Sequence, residues 1–493
     1  MTHRAATELK KRAPWFTSTL AFSLLLLGFL LADSVQVSAT PLPRLNVRAI
    51  PAFARKYGMP CSACHLAWPM LSPFGQAFKD NGYQMGNDRD APIFQQPAYW
   101  PVTFRMTPQW HRDHVTRAAV DGPAGVSANE ASVTTHGFDW SGLDFHTGGT
   151  LAKNISFYVL PSSDNAGAFH FETVFARLDN LAGSSWLNVK LGKFELDNLL
   201  SEKRILTLTS VSGVYTNYHF QPATENNGIN VAFPAFAFGI GDNQVGLEYM
   251  GHSKDDRTRV SASLLSSNDG SPGLPTSRGY DAYFAASQAF QVGSLGLQRI
   301  GAFAYLGQAP TYFQFTSGGP GVAGNGLPGT GIGNKSFYRA GVIGQFYVKK
   351  YDLTAMFFHS ADDKYLATGT PSNSPGTLPT GARNAIWNGA LFESHYTFNP
   401  QFILINRYEL VRMSQQALPV DGTNPYLPGV SVPSSNFGNM DVLTLGWRYY
   451  PFISSRAGFA FHNEYAISRQ RGTSPSGLDL TFNSLLVGFD FAF

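Results

Sequence analysis

The chain closes on Leu485-Leu486-Val487-Gly488-Phe489-Asp490-Phe491-Ala492-Phe493. Successive side chains of an extended strand point to opposite faces. Leu485, Val487, Phe489, Phe491 and Phe493 therefore share one side, and Gly488, Asp490 and Ala492 the other. The same period of two recurs upstream. Leu443, Leu445, Trp447 and Tyr449 alternate with Thr444, Gly446 and Arg448, and Phe459, Phe461 and Tyr465 with Ala460, His462 and Glu464. Each is a half-apolar strand that needs something to cover its apolar face. In a soluble sandwich two such faces meet in a core. In a membrane barrel they meet lipid, and the polar faces line a lumen.

Three features favour the barrel. From about residue 98 onward the alternating segments run about 10–14 residues, near the length at which a tilted strand spans a bilayer. Aromatics gather towards strand ends, as at Tyr449-Tyr450, Trp186 and Tyr396, where an interfacial girdle would sit. Short and long connections also alternate. Tight turns fall near 253–256, 292–294, 349–350, 399–400 and 453–455, and long polar loops at 308–335, 362–384 and 414–438. The pattern predicts an all-β transmembrane barrel of about sixteen antiparallel strands, with roughly 14 to 18 as the range. The stretch 196–226 carries the weakest strand pattern. An even strand number puts both ends of the barrel on one side, the periplasmic one.

Composition agrees. Of 493 residues only 14% are charged, against about 25% in soluble domains. Aromatics make up another 14%, which argues against disorder. The balance of 36 Lys+Arg and 33 Asp+Glu, without a basic run, gives no footprint for nucleic acid. Mean hydropathy is -0.12, and no apolar run beyond the N-terminus is long enough for a spanning helix.

The N-terminus reads as an address. Arg4, Lys10, Lys11 and Arg12 precede an apolar run at 20–32, and Val37-Ser38-Ala39 follows with the small residues of a cleavage site. This order predicts a secretory signal peptide over 1–39 and an exported chain. A membrane anchor is the competing reading, and the run is short for it.

Both cysteines lie in Cys61-Ser62-Ala63-Cys64-His65. Two thiols three apart can form thioethers to the two vinyl groups of one porphyrin, and the next histidine can ligate the iron. A zinc site would need two more ligands at similar spacing, and the chain has no second cysteine pair. A thioredoxin-like pair would need a βαβ setting, which the pattern lacks. The motif predicts one covalently bound haem c held by Cys61, Cys64 and His65. Phe53 to Tyr57 reads as a short helix before it. Ser72-Pro73 reads as the N-cap and first position of a second helix that stops at Gly82. Phe74, Phe78 and Trp68 are candidates to cover the porphyrin faces. About 40 residues cannot bury enough surface to fold well alone, so the haem and an enclosing partner must supply the rest.

For the sixth iron position, Met85 is the favoured candidate, with a helix between it and His65. Met106, His111 and His114 are alternatives, Met59 and Met70 sit awkwardly close, and five-coordinate iron is a further possibility. The organisation expected is a signal over 1–39, a monohaem cytochrome c segment over 40–90, a linker over 91–100 and a barrel over 101–493.

The motif is followed at once by Ala67-Trp68-Pro69-Met70-Leu71, and then by Phe74-Gly75-Gln76-Ala77-Phe78-Lys79-Asp80-Asn81-Gly82-Tyr83. CxxCH with an A-x-P-x-L element behind it, ahead of a barrel, resembles the fused monohaem cytochrome–porins of iron-oxidising bacteria. The resemblance implies an outer-membrane Fe(II) oxidase that passes electrons to periplasmic c-type cytochromes. Asp362-Asp363 in an expected outer loop is a weak candidate for meeting Fe(II), and Asp255-Asp256 in an inner turn a poorer one. Rival readings are a conduit for another extracellular donor or acceptor, a solute porin with a structural or sensory haem, and a soluble haem-bearing sandwich.

Overall fold

The computed structural model describes residues 53, 57, 59–67, 70–83, 85, 102–120, 129–140, 142–197, 239–241, 243–266, 279–310, 334–368, 381–417, 438–453, 458–472, 474, 476 and 478–492. The expected signal 1–39, the linker 91–100 and Phe493 lie outside the described residues. An N-terminal segment comes first: helix α1 (Cys61–Cys64), strands β1 (His65–Ala67) and β2 (Met70–Leu71), and helix α2 (Pro73–Asp80). β1 and β2 form their own two-stranded sheet.

The rest is one closed antiparallel sheet. Its segments are β3 (Val102–Met106), β4 (Gln109–Val120), β5 (Asn129–Asp139), β6 (Asp144–Ala152), β7 (Ile155–Ser163), β8 (Phe169–Leu178), β9 (Asn188–Phe194), β10 (Gln244–His252) and β11 (Thr258–Leu265). They continue as β12 (Asp281–Gln291), β13 (Leu297–Pro310), β14 (Asn334–Val348), β15 (Tyr351–Asp362), β16 (Ala385–Asn399), β17 (Phe402–Gln415), β18 (Met440–Ile453), β19 (Gly458–Gln470) and β20 (Leu480–Ala492). A short helix α3 (Lys364–Thr368) follows β15.

β3 and β4 pair with β20 in one unbroken register, Met106 opposite Phe491 and Gln109 opposite Gly488, so they are a single strand. Pro108 interrupts it, because proline has no N–H to give the ladder. β5 and β6 also run past β4 and β3 as one strand, with the register slipping by one residue between Asp139 and Asp144. That break lies opposite: Gly142 has φ +82, and a Cβ there would come within 2.3 Å of Thr107 Oγ1. Among the described residues the barrel therefore has sixteen strands, the number the turn spacing predicts. It closes where the last strand, β20, meets the first, and the sequential strands β9 and β10 also pair, Phe194 opposite Gln244 and Asn188 opposite Met250.

Burial is inverted relative to a soluble protein. Leu191 is 63% exposed while Arg448 and Asp490 are 0% exposed. Leu247, Leu264, Phe284, Ile300, Val342, Phe357, Trp447, Phe461, Leu485, Val487 and Phe489 face outward. Arg177, Lys190, Glu248, Arg339, Glu393, His395, Arg407, Glu409 and Glu464 face the interior. A water-soluble sheet could not keep such an exterior, and a bilayer requires it.

Apart from the five-residue β7–β8 connection, which lies with the long loops, the short connections gather at one end and the long ones at the other. At the short-turn end the outward aromatics form clusters. Tyr396, Phe398 and Phe402 have ring centroids 4.7 and 5.6 Å apart in succession, and Phe459 lies 5.2 Å from Phe489. Tyr449 belongs to this belt. Tyr450, expected with it, instead points inward, packed with Ile403, Ile405 and Ala460, because its neighbour's outward position fixes it on the other face.

Candidate functional site

The CxxCH turn is built by its neighbours. α1 carries Cys61 and Cys64 one turn apart, and His65 leaves it extended, at φ -122 and ψ 133. α2 clamps onto this turn. Ser72 caps α2 by accepting from Gly75 N at 3.1 Å, while its own N–H donates to Cys64 O at 2.8 Å and its hydroxyl to Ala63 O at 3.2 Å. Pro73 takes the first helical position. Gly75 is required by space, since a Cβ there would sit 2.0 Å from Cys64 O. α2 ends in a Schellman motif. Gly82 (φ +78) donates to Lys79 O at 3.2 Å, and Tyr83 donates to Phe78 O at 3.0 Å.

Aromatic rings fill in around this unit. Tyr83 stacks on Phe53 at 5.0 Å and on Tyr158 of β7 at 5.8 Å. Phe78 meets Phe53 and Tyr57 edge-on at 5.2 and 5.6 Å. Tyr158 is an inward-facing residue, so the segment meets the inner wall of the barrel.

Charges complete the seat. Arg259 of β11 pairs with Asp80 at 2.8 Å, and Gln76 donates to the same carboxylate at 2.8 Å. Arg177 of β8 donates to Lys79 O at 2.8 Å and to Asp179 at 2.6 Å, and its guanidinium lies over the Tyr83 ring at 5.9 Å. Lys79 reaches Glu195 at 3.3 Å. Nearby, Lys190 pairs with Glu248 and lies 4.8 Å from the Phe194 ring centre. Arg177, Asp179, Glu195, Arg259 and Tyr158 are absent from the sequence-based site. The one local signal was a charged residue on the inward side of an alternating strand, as in Phe175-Ala176-Arg177.

The expected ligands fall into clear groups. Cys61, Cys64 and His65 are half-buried and adjacent. Burial pushes both thiols up in pKa. A backbone hydrogen bond offsets this at Cys61, and its neighbour Cys61 adds to it at Cys64. Met85 is half-buried against the same apolar cluster as Phe53 and Tyr57. Met106 and His114 sit opposite outward-facing Phe491 and Asn483, so both project away from the lumen. His111 faces inward but is engaged by Asp113 at 2.7 Å and Asp139 at 3.4 Å.

Among the described residues no three His, Cys, Asp or Glu side chains converge as a metal-ion site. A single ion needs such convergence. A porphyrin does not: it takes two thiols at its edge and an imidazole at its centre. The CxxCH turn, with its glycine-permitted helix contact and aromatic surround, fits a haem by this measure.

Asp362 and Asp363 do not form the pair expected of an open loop. Asp362 is the last residue of β15, buried, bound by Arg339 at 2.7 Å and by Trp387 Nε1 at 3.0 Å. Asp363 accepts from Tyr365 N at 2.9 Å at the start of α3. The strand runs further than the loop composition implied, and a buried arginine claims the first carboxylate. Asp255 is exposed in its turn, while Asp256 binds Arg259 and Arg299.

Elsewhere the lumen wall carries a belt of ion pairs. His395 bridges Asp352 and Glu393 at 2.7 and 2.8 Å, and Arg407 holds Glu409 at 2.7 Å. Asp490 joins Arg448 at 3.0 Å to Arg105 at 3.4 Å, and Arg105 continues to Asp144 at 3.2 Å.

No protein-family model matches the chain, and no curated protein is similar to it. Solved structures with a similar barrel include the outer membrane channel DcaP of Acinetobacter baumannii, at 10% identity and TM-score 0.43, over 80% of this chain and 97% of that one. An anion-selective porin from Comamonas acidovorans is 13% identical at TM-score 0.45, over 80% and 98%. Salmonella typhi OmpF in complex with daunomycin is 11% identical at TM-score 0.42, over 79% and 97%. At these values the architecture rests on the chain's own strand register.

Proposed function

We propose that this chain is an outer-membrane cytochrome–porin of a Gram-negative bacterium that moves single electrons across that membrane. It takes them from extracellular Fe(II) and hands them to periplasmic c-type cytochromes. The observation that carries this reading is the seat of the CxxCH turn against the inner wall, through Asp80–Arg259 and Lys79–Arg177. A barrel that only passes solutes has no need of such a turn. The short-turn end is periplasmic and the long-loop end external.

A covalently bound haem c supplies reversible one-electron chemistry at its iron. Cys61 and Cys64 would tether it, and His65 and Met85 would ligate its iron. Phe53, Tyr57, Phe78 and Tyr83 exclude water from the segment's core, and low local polarity is one of the levers on potential. The resemblance to fused cytochrome–porins supports Fe(II) as donor.

A second reading has a specific observation behind it. The ion-paired wall around Arg407, Arg448 and Asp490 is the kind of polar lining a solute channel uses. A solute porin with a structural or sensory haem would have it too, as would a conduit for another donor or acceptor. Titrating Fe(II) into purified protein while recording the haem spectrum separates these. Reduction is expected in the wild type, with no haem retained on a denaturing gel in Cys61→Ala/Cys64→Ala. Haem that Fe(II) leaves oxidised would remove iron oxidation. Solute flux in liposomes unchanged by the double substitution would favour the porin. Met85→Ala is expected to remove the weak far-red band of thioether-ligated ferric haem, and Met106→Ala to leave it.

A further inference from the structure

The turns of the barrel differ in charge around the ring. Lys153 sits in the β6–β7 turn, Lys254 and Arg257 in the β10–β11 turn, and Lys349 and Lys350 in the β14–β15 turn, all exposed. Going along the chain, each basic turn is separated from the next by four strands, so the three lie on one half of the circumference. The β12–β13 and β16–β17 turns between and beyond them, 292–296 and 400–401, carry no charge. Asp255 is exposed and pairs with Arg257 at 3.4 Å, so Lys254 carries that turn's net positive charge, and Asp256 is occupied by Arg259 and Arg299. Among the described residues the long-loop end is mixed instead, with Asp479 between Arg469 and Arg471 and Asp164 beside His170.

The cytochrome-like segment is seated near the same end. Arg259, which holds Asp80, is the second residue of β11 after its basic turn, and Gly82 lies against Asp179, which opens the β8–β9 turn. We infer that the short-turn rim is a docking ring for a soluble electron carrier with an acidic face, the positive turns steering it onto the segment. This rests on the electron-transfer reading for what is exchanged, but not for the contact itself. Steering by such a ring speeds association and fades with salt. Hairpin tips project along the barrel axis, towards an arriving protein, whereas lipid lies against the outward strand faces.

The test uses full-length haem-loaded protein in nanodiscs of zwitterionic lipid. The probes are cytochrome c in its native basic form and the same protein succinylated, which turns its lysines acidic. The haem of the barrel protein is reduced beforehand and freed of excess reductant, and binding of the ferric probe and its one-electron reduction by that haem are read separately. The wild type is expected to bind the succinylated form, in a salt-sensitive way, and not the native form. Lys153→Glu/Lys254→Glu/Lys349→Glu should slow that association about tenfold or more, with the haem spectrum and heat-modifiable gel migration unchanged. Lys350 is left in place because it bonds Phe398 O at 3.0 Å. Binding without reduction would uphold the ring and defeat the electron-transfer reading. Equal binding of both probes, or no effect of the reversals, overturns the ring. So does charge-dependent capture of phosphatidylglycerol vesicles with neither cytochrome bound, which would assign the rim to lipid.

Discussion

Arg259→Leu should release the N-terminal segment from its seat. The guanidinium lies 2.8 Å from Asp80, with side chains 9% and 6% exposed. Removing one partner of a buried pair costs about 3–5 kcal/mol, because the other charge is left uncompensated. Asp80 keeps its hydrogen bond from Gln76 at 2.8 Å, which places the cost at the low end, about 3 kcal/mol. At about 1.4 kcal/mol per tenfold, the docked population falls about a hundredfold against the undocked one. Hydrogen exchange in nanodiscs reads this at the amides of Asn81 and Tyr83, which donate to Ala77 O at 2.9 Å and Phe78 O at 3.0 Å. Their protection should drop by that factor. Arg259 also binds Asp256, so a double-mutant cycle with Asp80→Asn isolates the pair. A coupling below about 0.5 kcal/mol, or unchanged exchange in Arg259→Leu, would refute the electrostatic seat.

Gly75→Ala places a Cβ 2.0 Å from Cys64 O, where real contacts begin near 3.0 Å, so α2 must move away from the CxxCH turn. A cost of about 1–3 kcal/mol is expected, with less covalent haem on a stained gel, and Ser72→Ala should do milder damage of about 1 kcal/mol. Wild-type haem yield in Gly75→Ala would defeat this account of the helix contact. Val487→Arg puts a charge on the lipid face and should cost up to about 2–4 kcal/mol in refolding into bilayers, depending on depth. Unimpaired insertion would mean that face does not meet lipid. Burial alone would raise the Asp479 carboxyl, but hydrogen bonds from Arg469, Arg471 and Gly472 outweigh it and hold the pKa below 3.8. Its contribution to stability is therefore complete above the ordinary carboxylate range and lost as pH falls through the lowered value. An NMR titration should place its midpoint below that of a free aspartate, and an ordinary midpoint would contradict the three-donor cage.

The strands were legible because their signal is local. Phe459, Phe461 and Tyr465 against Ala460, His462 and Glu464 shows which residues share a face, and the structure keeps that division. The turns at 253–256, 292–294 and 349–350 were legible for the same reason. Asp362 was misread because its fate depends on Arg339, a neighbour across the ladder and not in the chain. Tyr450 was misread by association with Tyr449, although a period of two puts adjacent residues on opposite faces.

Sequence by itself determined a barrel of about sixteen strands and a CxxCH turn expected at its periplasmic mouth, since alternation and motif spacing are properties of neighbouring residues. Only the tertiary structure decided which residues join the two. Asp80 and Arg259, like the Lys79 carbonyl and the Arg177 guanidinium, are far apart in the chain and complementary only after closure brings β8 and β11 around one lumen. It also decided which alternatives to Met85 face the interior. The register against β20 turns Met106 and His114 outward and leaves His111 inward, held by two aspartates. Register is a relation between strands, set by matching their apolar faces and by turn geometry, so no single strand fixes it alone.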